Sequence, residues 1–210
     1  MFNQFATTVL DILFPPFCRG CAVDGSWLCS VCAGQLQPRR VKLPGGSLEQ
    51  LCILGTYDHP ILQRSIRDLK YAGGYGIADA LGTQLARVFS AEITGAILVP
   101  VPLHKHRKRE RGFNQAEELA KAIAAAIPLT EVRSVVRRIR NTTPQVLLNE
   151  EERRRNVRQA FTVNASQGEI PSRGIIVDDV YTTGATIHEV AAVLRQAGMT
   201  SVSAMAVAKG

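Results

Sequence analysis

The chain has 210 residues, of which 46% are hydrophobic and 20% are charged. This composition is typical of a soluble globular protein and argues against intrinsically disordered and membrane-embedded classes. No apolar run approaches the roughly 18 residues that a membrane-spanning helix requires, so no such helix is predicted.

The formal net charge is +7, and the positive excess is confined to two segments. Residues 104–111 carry five Lys or Arg against one acid, and residues 133–158 carry eight Arg against three acids. Positive charge confined in this way favours a phosphate-rich ligand or a nucleic acid. A solvated basic face is the alternative that charge alone leaves open.

The first 14 residues contain apolar side chains at near-helical spacing, which predicts a short amphipathic helix docked on the protein body or on a partner. A secretory signal is not expected, because the segment has no basic start and no small-residue cleavage site, and Asp11 interrupts it. The expected location is therefore the cytoplasm. The apolar residues at this spacing are Phe2, Phe5, Val9, Ile12 and Leu13.

Four of the five cysteines form two C-x-x-C pairs separated by seven residues, Cys18 with Cys21 and Cys29 with Cys32. Two such turns complete a closed tetrahedral Cys₄ site, which is typical of structural Zn²⁺. The alternatives are two disulfides or a redox-active pair, and the reducing compartment expected without a secretory signal favours zinc. Cys52 stands apart in an apolar run and is predicted to lie in the core.

The predicted organisation is an N-terminal helix and zinc module in residues 1–50, followed by a main domain in residues 51–210. The stretch 35–47, which contains Pro and Gly, is predicted to link them. From residue 51 onward short β-rich runs alternate with helical patterns, the order expected of an α/β sheet with helices on its faces. Strands are predicted near residues 51–56, 96–101, 135–139, 174–178 and 201–206, and helices near 61–70, 77–88, 114–126, 149–157 and 187–196.

The segment 175–186 reads IIVDDVYTTGAT and combines a strand, an acid pair and a turn. Its apolar start is typical of a central parallel strand, which places Asp178 and Asp179 at the carboxyl end, where α/β sheets bind ligands. Thr186 and Glu189 match a capping box, which predicts that a helix begins at Thr186. The turn before it offers N–H groups and hydroxyls to a phosphate, although turns of this kind also occur without a ligand.

This segment resembles the phosphoribosyl pyrophosphate (PRPP) motif of type I phosphoribosyltransferases, in which an apolar run precedes paired acids and Thr-Thr-Gly-x-Thr. The resemblance implies that Asp178 and Asp179 engage the ribose hydroxyls, directly or through Mg²⁺. It also implies that the 5-phosphate is held by Thr182, Thr183, Gly184, Ala185 and Thr186.

In the type I fold a loop after an early strand contacts pyrophosphate, and residues 102–114 occupy the corresponding place in chain order. A second basic region, from Arg140 to Phe161, lies where that fold carries a flexible hood loop that closes over PRPP and excludes water. The candidate contacts to pyrophosphate or DNA in the first region are Lys105, Arg107, Lys108, Arg109 and Arg111.

Over nearly its whole length the chain resembles the ComF family, including its GntX-like members. The resemblance is carried by the cysteine pairs, Lys70-Tyr71, VPVPL, ERGFNQ, TTPQ, RRNV followed by AF, and VDDVYTTGAT. It implies a type I phosphoribosyltransferase-like, mostly parallel sheet flanked by helices, a small N-terminal Cys₄ zinc module, and an association with DNA uptake during natural transformation. By the same resemblance, Lys70 follows the first helix of the main domain and is expected to face the ligand phosphates. An ordinary surface lysine is the alternative.

Two functions follow from the resemblance and the basic segments. In the first, the protein is an enzyme that binds Mg²⁺ and PRPP and transfers the phosphoribosyl group to an unidentified acceptor, with electrostatic stabilisation of the leaving pyrophosphate. In the second, it is a non-catalytic, PRPP-responsive protein that handles single-stranded DNA through phosphate contacts, together with DNA-uptake proteins. The residues leave both functions open.

Overall fold

A computed structural model describes residues 16–43, 46–71, 74–140, 142, 149–164, 166 and 168–210. The helix predicted in residues 1–14 lies outside the described residues, as do residues 143–148 of the predicted hood and the side chain of Arg154. All other predicted site residues lie within the described part of the chain.

The described strands build one main sheet and one small ribbon. They are β1 (Arg39–Lys42), β2 (Gln50–Ile53), β3 (Ile97–Pro100), β4 (Glu131–Val132), β5 (Val136–Arg138), β6 (Phe161–Val163), β7 (Arg173–Tyr181) and β8 (Ser201–Lys209). The main sheet has the order β1–β2–β8–β7–β3–β4, while β5 and β6 pair separately. All neighbours in the main sheet are parallel except β1 and β2, so the predicted mostly parallel sheet is confirmed.

Helices cover both faces of this sheet, as parallel connections require. They are α1 (Ser30–Ala33), α2 (Pro60–Tyr71), α3 (Tyr75–Ile93), α4 (Lys105–Arg111), α5 (Gln115–Ala126), α6 (Glu150–Val157) and α7 (Ala185–Gln196). One apolar cluster packs α2, α3 and α5 against the sheet, and a second packs α7 on the other face. Within the described residues, no helix has the length and apolar character that crossing a membrane demands.

Strand β7 is buried on both faces, as its continuous apolar run predicts. Ile175 and Val177 belong to the first cluster and Ile176 belongs to the second. The strand is longer than predicted, because β8 pairs with it as far as Tyr181. The predicted strand ended at Asp178, whereas both Asp178 and Asp179 lie inside the observed strand, still near the carboxyl edge of the sheet.

The segment predicted as a linker, residues 35–47, contains strand β1, which extends the sheet by pairing with β2. Arg40 anchors this strand, because its guanidinium pairs with Glu92 and lies 4.8 Å from the centre of the Phe89 ring on α3. The linker prediction is wrong here, since the edge of β2 offers backbone groups that an adjacent extended segment can satisfy. The domain division at residue 50 stays a prediction.

The basic segment after β3, predicted as a loop, contains helix α4. Its start is capped by His104 and its end by Gly112, which has a left-handed φ of 79°. Asn114 then caps α5 and donates to the carbonyl of Val101 at 3.0 Å, which ties the start of α5 to the end of β3. The loop prediction is wrong because Lys and Arg are good helix formers and residues 105–111 contain neither Gly nor Pro.

The turn between β7 and α7 is built around Gly184, which has a left-handed φ of 74° and precedes the first helical residue, Ala185. The N-cap residue is Gly184, which has no side chain to cap the helix, and Thr186 lies inside the helix, so the predicted capping box of Thr186 and Glu189 is wrong. The Glu189 carboxylate instead accepts a hydrogen bond from the Gln159 N–H at 2.5 Å. The chain enters the helix before Thr186 can take the extended backbone of a capping residue.

The substitution Gly184→Ala should disrupt this turn. A Cβ at this position would lie 2.3 Å from the Tyr181 hydroxyl oxygen and 2.9 Å from His188 Cδ2. Overpacking costs about 1–3 kcal/mol, and the left-handed backbone adds about 1–2 kcal/mol for a residue with a Cβ. We expect urea unfolding to show a loss of about 2–5 kcal/mol in the free energy of unfolding.

Gly168→Ala is the matched control. Gly168 has a φ of 71°, and no described atom lies within 4 Å of its Cβ position. This variant should lose only the backbone contribution of about 1–2 kcal/mol. Equal losses in the two variants would show that Tyr181 and His188 do not restrict the turn.

Candidate functional site

Asp178 and Asp179 stand side by side at the carboxyl edge of the sheet. Each carboxylate accepts a hydrogen bond from the N–H of the following residue, at 2.9 Å for Asp178 and 2.8 Å for Asp179. Although part of Asp178 reaches solvent, desolvation raises the pKa of its carboxyl well above the ordinary value, and the charge of Asp179 adds to this rise. Nearby cations, or a proton shared between the two carboxylates, would therefore stabilise the pair.

One cation reaches the acid pair from α2. Lys70, near the end of that helix, places Nζ 3.3 Å from Oδ2 of Asp179, and its charge opposes the rise in the pKa of Asp178. The two paired side chains are 26% and 16% exposed, so the ion pair is better shielded from water than a surface pair. Its contact with pyrophosphate or DNA stays a prediction.

Helix α4 divides the five basic residues of the first basic segment between two faces. Arg107 and Arg111, four residues apart on one face, are half-buried. Arg107 donates to the Thr142 carbonyl at 3.0 Å, and burial lowers the pKa of Arg107, with the charge of Arg111 adding to the effect. The exposed members of the segment are Lys105, Lys108 and Arg109.

Arg138 on β5 is a candidate site residue that the sequence analysis did not single out. Its guanidinium bonds the Thr142 hydroxyl and lies 5.3 Å from the centre of the Phe161 ring. Its Nε is buried without a hydrogen-bond partner among the described residues. Burial lowers the pKa of Arg138 to about 10, the charge of Arg107 lowers it as well, and the charge of Asp178 opposes both.

The sequence did carry a signal for Arg138. Along β5 the residues alternate, with Val136 buried, Arg137 exposed and Arg138 half-buried, which is the period of a strand with one face inward. An arginine two residues after a buried valine shares its face. The neighbouring arginines of the second basic segment mask this strand period in the sequence.

Cations approach the acid pair from both faces of the sheet. Asp179 pairs with Lys70 on the side of α2, and Asp178 lies in the field of Arg138 from β5. Adjacent residues of a strand point to opposite faces, so the two acids reach different layers. A ligand that carries hydroxyls next to phosphates would find acceptors and cations together here.

The turn at the start of α7 follows the acid pair directly. The N–H groups at the start of a helix are ready to bind an anion, and the Thr183 hydroxyl oxygen accepts from the Ala185 N–H at 3.4 Å. Beneath the turn, the Tyr181 hydroxyl lies 3.1 Å from His188 Nε2. A cavity of about 400 Å³ adjoins the turn, lined by Val157, Thr183, Ala185, His188 and Glu189.

Another cavity, of about 320 Å³, lies at the opposite edge of the sheet, where its lining includes Arg173 and Ser201 at the amino ends of β7 and β8. Asp178 is about 17 Å further along β7 at the rise of an extended strand. The Arg173 guanidinium already donates to the carbonyls of Thr94 and Glu92. This cavity is therefore separate from the acid pair.

The four paired cysteines form one cluster. Their Sγ atoms all lie within 4.8 Å of one another, and the four are free thiols rather than disulfides. Burial by itself would raise the pKa of Cys18, but hydrogen bonds from Cys21, Cys29 and Gly20 lower it to about 6. A thiolate is thus favoured in a set whose chemistry and spacing fit Zn²⁺.

The carboxyl-terminal part of the chain matches a known domain, and most of the chain is similar to known proteins. Residues 109–210 match the phosphoribosyl transferase domain, a stretch that contains the acid pair and the turn. Competence protein F of Haemophilus influenzae is 28% identical over 202 residues, covering 92% of this chain and 85% of the relative. DNA utilization protein YhgH of Escherichia coli K12 is 30% identical over 214 residues, covering 88% and 92%. Competence protein ComFC of Bacillus subtilis is 30% identical over 147 residues, covering 68% and 57%.

We expect the purified protein to carry about one Zn²⁺ per chain, because four thiols complete a closed tetrahedral site. Cys21→Ser should lose most of this metal in elemental analysis, since it removes one of the four sulfur atoms. Cys52→Ala is the control, because Cys52 lies on β2 and is not one of the four clustered thiols, so it should leave the metal content unchanged. Full zinc occupancy in Cys21→Ser would remove that thiol from the site.

The raised pKa of Asp178 predicts a stability that depends on pH. Below the ordinary carboxyl pKa of about 4, Asp178 is protonated in both the folded and the unfolded state. As pH rises, the unfolded state ionises first, so the folded state loses stability until the pH passes the raised pKa. Asp178→Asn should therefore be more stable than the wild type at pH 7, and the gap should close toward pH 4.

Urea unfolding from pH 4 to pH 8 measures this gap. Asp58→Asn is the control, because Asp58 is exposed and should show no such trend. A stability difference between Asp178→Asn and the wild type that stays constant across this range would contradict the predicted ionisation of Asp178.

Proposed function

This chain belongs to the ComF family, and on that premise we propose that it binds PRPP at the acid pair and acts in DNA uptake. The phosphoribosyl transferase domain supports the ligand, and the names of the competence and DNA utilization relatives support the cellular role. The proposed location is the cytoplasm, where a reducing environment would keep the cysteine cluster available to zinc.

The observation that carries the proposal is the grouping of three kinds of chemistry at one edge of the sheet. Carboxylates lie at Asp178 and Asp179, and the turn that opens α7 follows them. The Arg138 guanidinium interacts with the charge of Asp178 and shares Thr142 with the Arg107 guanidinium. PRPP carries ribose hydroxyls between a 5-phosphate and a pyrophosphate. Its three parts therefore correspond to these three groups of residues.

In this proposal the acid pair binds the ribose. The carboxylates of Asp178 and Asp179 accept from the ribose hydroxyls, directly or through Mg²⁺. Desolvation raises the pKa of Asp178, and a bound cation would lower this pKa and favour the ionised carboxylate. Mg²⁺, where bound with PRPP, supplies neutralisation of the pyrophosphate charge.

The two guanidiniums are proposed to hold the pyrophosphate. Burial of Arg107 and Arg138 lowers the pKa of each, so an anion that enters between them gains more attraction than it would in water. Phosphoribosyl transfer would break the bond from ribose C1 to the pyrophosphate oxygen, which leaves with the electron pair, while an acceptor forms the new bond at C1. Arg107 and Arg138 would stabilise the charge on the leaving group.

The second candidate is a PRPP-responsive protein that handles single-stranded DNA without catalysis. It rests on the outward face of α4, where Lys105, Lys108 and Arg109 are exposed. This face lies apart from the half-buried Arg107 and Arg111, so a DNA backbone bound there need not occupy the ligand pocket. Such contacts would be largely electrostatic and sensitive to salt.

Calorimetric titration with PRPP and Mg²⁺ tests the binding proposal. The double variant Asp178→Asn with Asp179→Asn should bind at least about a hundredfold more weakly, because each hydrogen bond to a charged group contributes about 1.5–3 kcal/mol. Asp58→Asn is the matched control and should bind like the wild type. Wild-type affinity in the double variant would overturn the assignment of the acid pair.

Pyrophosphate release, measured with and without single-stranded DNA and candidate acceptors, then separates the two functions. Turnover that falls at least about tenfold in Arg138→Gln supports the transferase. If PRPP binds without turnover and the Lys105, Lys108 and Arg109 triple alanine variant lowers the salt slope of DNA binding, the second candidate holds. An unchanged salt slope would exclude the outward face of α4 from the DNA site.

A further inference from the structure

The cysteine cluster contacts the same helix that carries Lys70. Cys18 and Cys32 lie in one apolar cluster with Ile61, Leu62 and Leu69 of α2. The fit is tight, because a Cβ on Gly20 would lie 2.3 Å from Cys32 Sγ and 3.0 Å from Ile61 Cδ1. The cysteine-bearing segment therefore packs along α2 instead of hanging from the main domain.

An ion pair joins this segment to the far end of α2. Arg19, between Cys18 and Cys21, places Nε 2.5 Å from Oδ2 of Asp68, with side chains that are 21% and 24% exposed. The Nε atom is buried, and its N–H is not aligned for a hydrogen bond, so the contact is a charge interaction. Such partly shielded pairs hold their geometry better than exposed ones.

The Arg19 guanidinium is itself held in place. Its Cζ atom lies 4.6 Å from the centre of the Trp27 ring, and its Nη1 donates a hydrogen bond to the Phe17 carbonyl at 2.9 Å. Trp27 in turn packs on Gly76 at the start of α3, where a Cβ would lie 2.1 Å from the indole nitrogen. The ion pair with Asp68 is thus fixed from the side of the cysteine segment.

Asp68 precedes Lys70 by two residues, and Lys70 pairs with Asp179 at 3.3 Å. The last turn of α2 therefore connects two ion pairs, one toward the cysteine segment and one toward the acid pair. We propose that Arg19 is a positioning residue for the ligand site, because it holds Asp68 and thereby places the Lys70 ammonium beside Asp179. This inference rests on the proposed function, since the site it serves is the PRPP site.

The same coupling gives the cysteine cluster a role in ligand affinity. Cys18 and Cys21 flank Arg19 in sequence, so a change that loosens the cluster also loosens the Arg19 backbone. The acid pair would then lose a fixed cation on the face of α2 and hold its ligand less well. A structural metal in the cysteine cluster would thus support binding at a distance, without contact with the ligand.

The test compares PRPP affinity in Arg19→Ala and Arg67→Ala at equal zinc content and equal thermal stability. Arg67 is the matched control, because it approaches the same Asp68 carboxylate only at 3.9 Å and is 71% exposed. Arg19→Ala should weaken binding roughly fivefold, and Arg67→Ala should not. Asp68→Asn is the second variant if Arg19→Ala folds poorly, since it leaves the cysteine segment intact and should give the same loss.

A double-mutant cycle with Lys70→Ala separates positioning from a general structural effect. If Arg19 acts through Lys70, Arg19→Ala should weaken binding in the wild type and have no further effect in Lys70→Ala. The same loss in both backgrounds would overturn the inference, and so would wild-type affinity in both Arg19→Ala and Asp68→Asn.

If the wild type fails to bind PRPP, the proposed function is wrong, but the role of Arg19 in holding α2 can still be measured. Hydrogen exchange of the ligand-free protein reports on the last turn of α2 directly. The amides from Asp68 to Tyr71 should exchange faster in Arg19→Ala than in Arg67→Ala. Equal exchange in the two variants would show that Arg19 does not hold this turn.

Discussion

The organisation of this site depends on two carboxylates that share the end of a buried strand. β7 is apolar from Ile175 to Val177 and then presents Asp178 and Asp179 next to each other. Desolvation and repulsion from Asp179 both raise the pKa of Asp178. Lys70 and Arg138 supply opposite charge from the two faces of the sheet. A ligand can replace these contacts only if it brings its own cations or hydroxyl groups.

The cations of the two basic segments are divided by their secondary structure. In α4 the helical period turns Arg107 toward the protein and leaves Lys105, Lys108 and Arg109 in solvent. In β5 the strand period turns Arg138 inward and Arg137 outward. The inward arginines suit a compact anion such as pyrophosphate, and the outward residues suit a long polyanion. The positive charge of these two segments is therefore compatible with both candidate functions, because the inward and outward residues form separate surfaces.

The cysteine segment packs against α2 and α3 instead of forming an independent appendage. Cys18 and Cys32 share the apolar cluster that contains α2 and α3, and Arg19 pairs with Asp68 close to Lys70. A segment this short has too few residues for a core of its own. Packing against α2 supplies apolar partners, and a bound metal would supply the remaining order. Under the proposed role of Arg19, the stability of this segment affects the position of Lys70 beside Asp179.

Local patterns were sufficient to predict much of this protein. The spacing of Cys18, Cys21, Cys29 and Cys32 predicted a cluster, and the apolar run before Asp178 predicted a central strand, because both signals are short and depend on chemistry that neighbours cannot override. The loop prediction for α4 and the capping box at Thr186 were wrong. The helix propensity of Lys and Arg makes residues 105–111 helical. The left-handed backbone of Gly184 starts α7 before Thr186.

What only the tertiary structure decided is which distant residues meet. Nothing near Lys70 in sequence indicates Asp179, and nothing near Arg19 indicates Asp68; these pairs exist because α2 lies between the cysteine segment and β7. The pairing of β1 with the edge of β2 is likewise a contact that only the tertiary structure decided, because β1 lies in the predicted linker. By itself the sequence determined residue types, strand and helix periods and the acid pair with its turn. Contacts between elements depend on packing geometry and the exclusion of water, which no local pattern encodes.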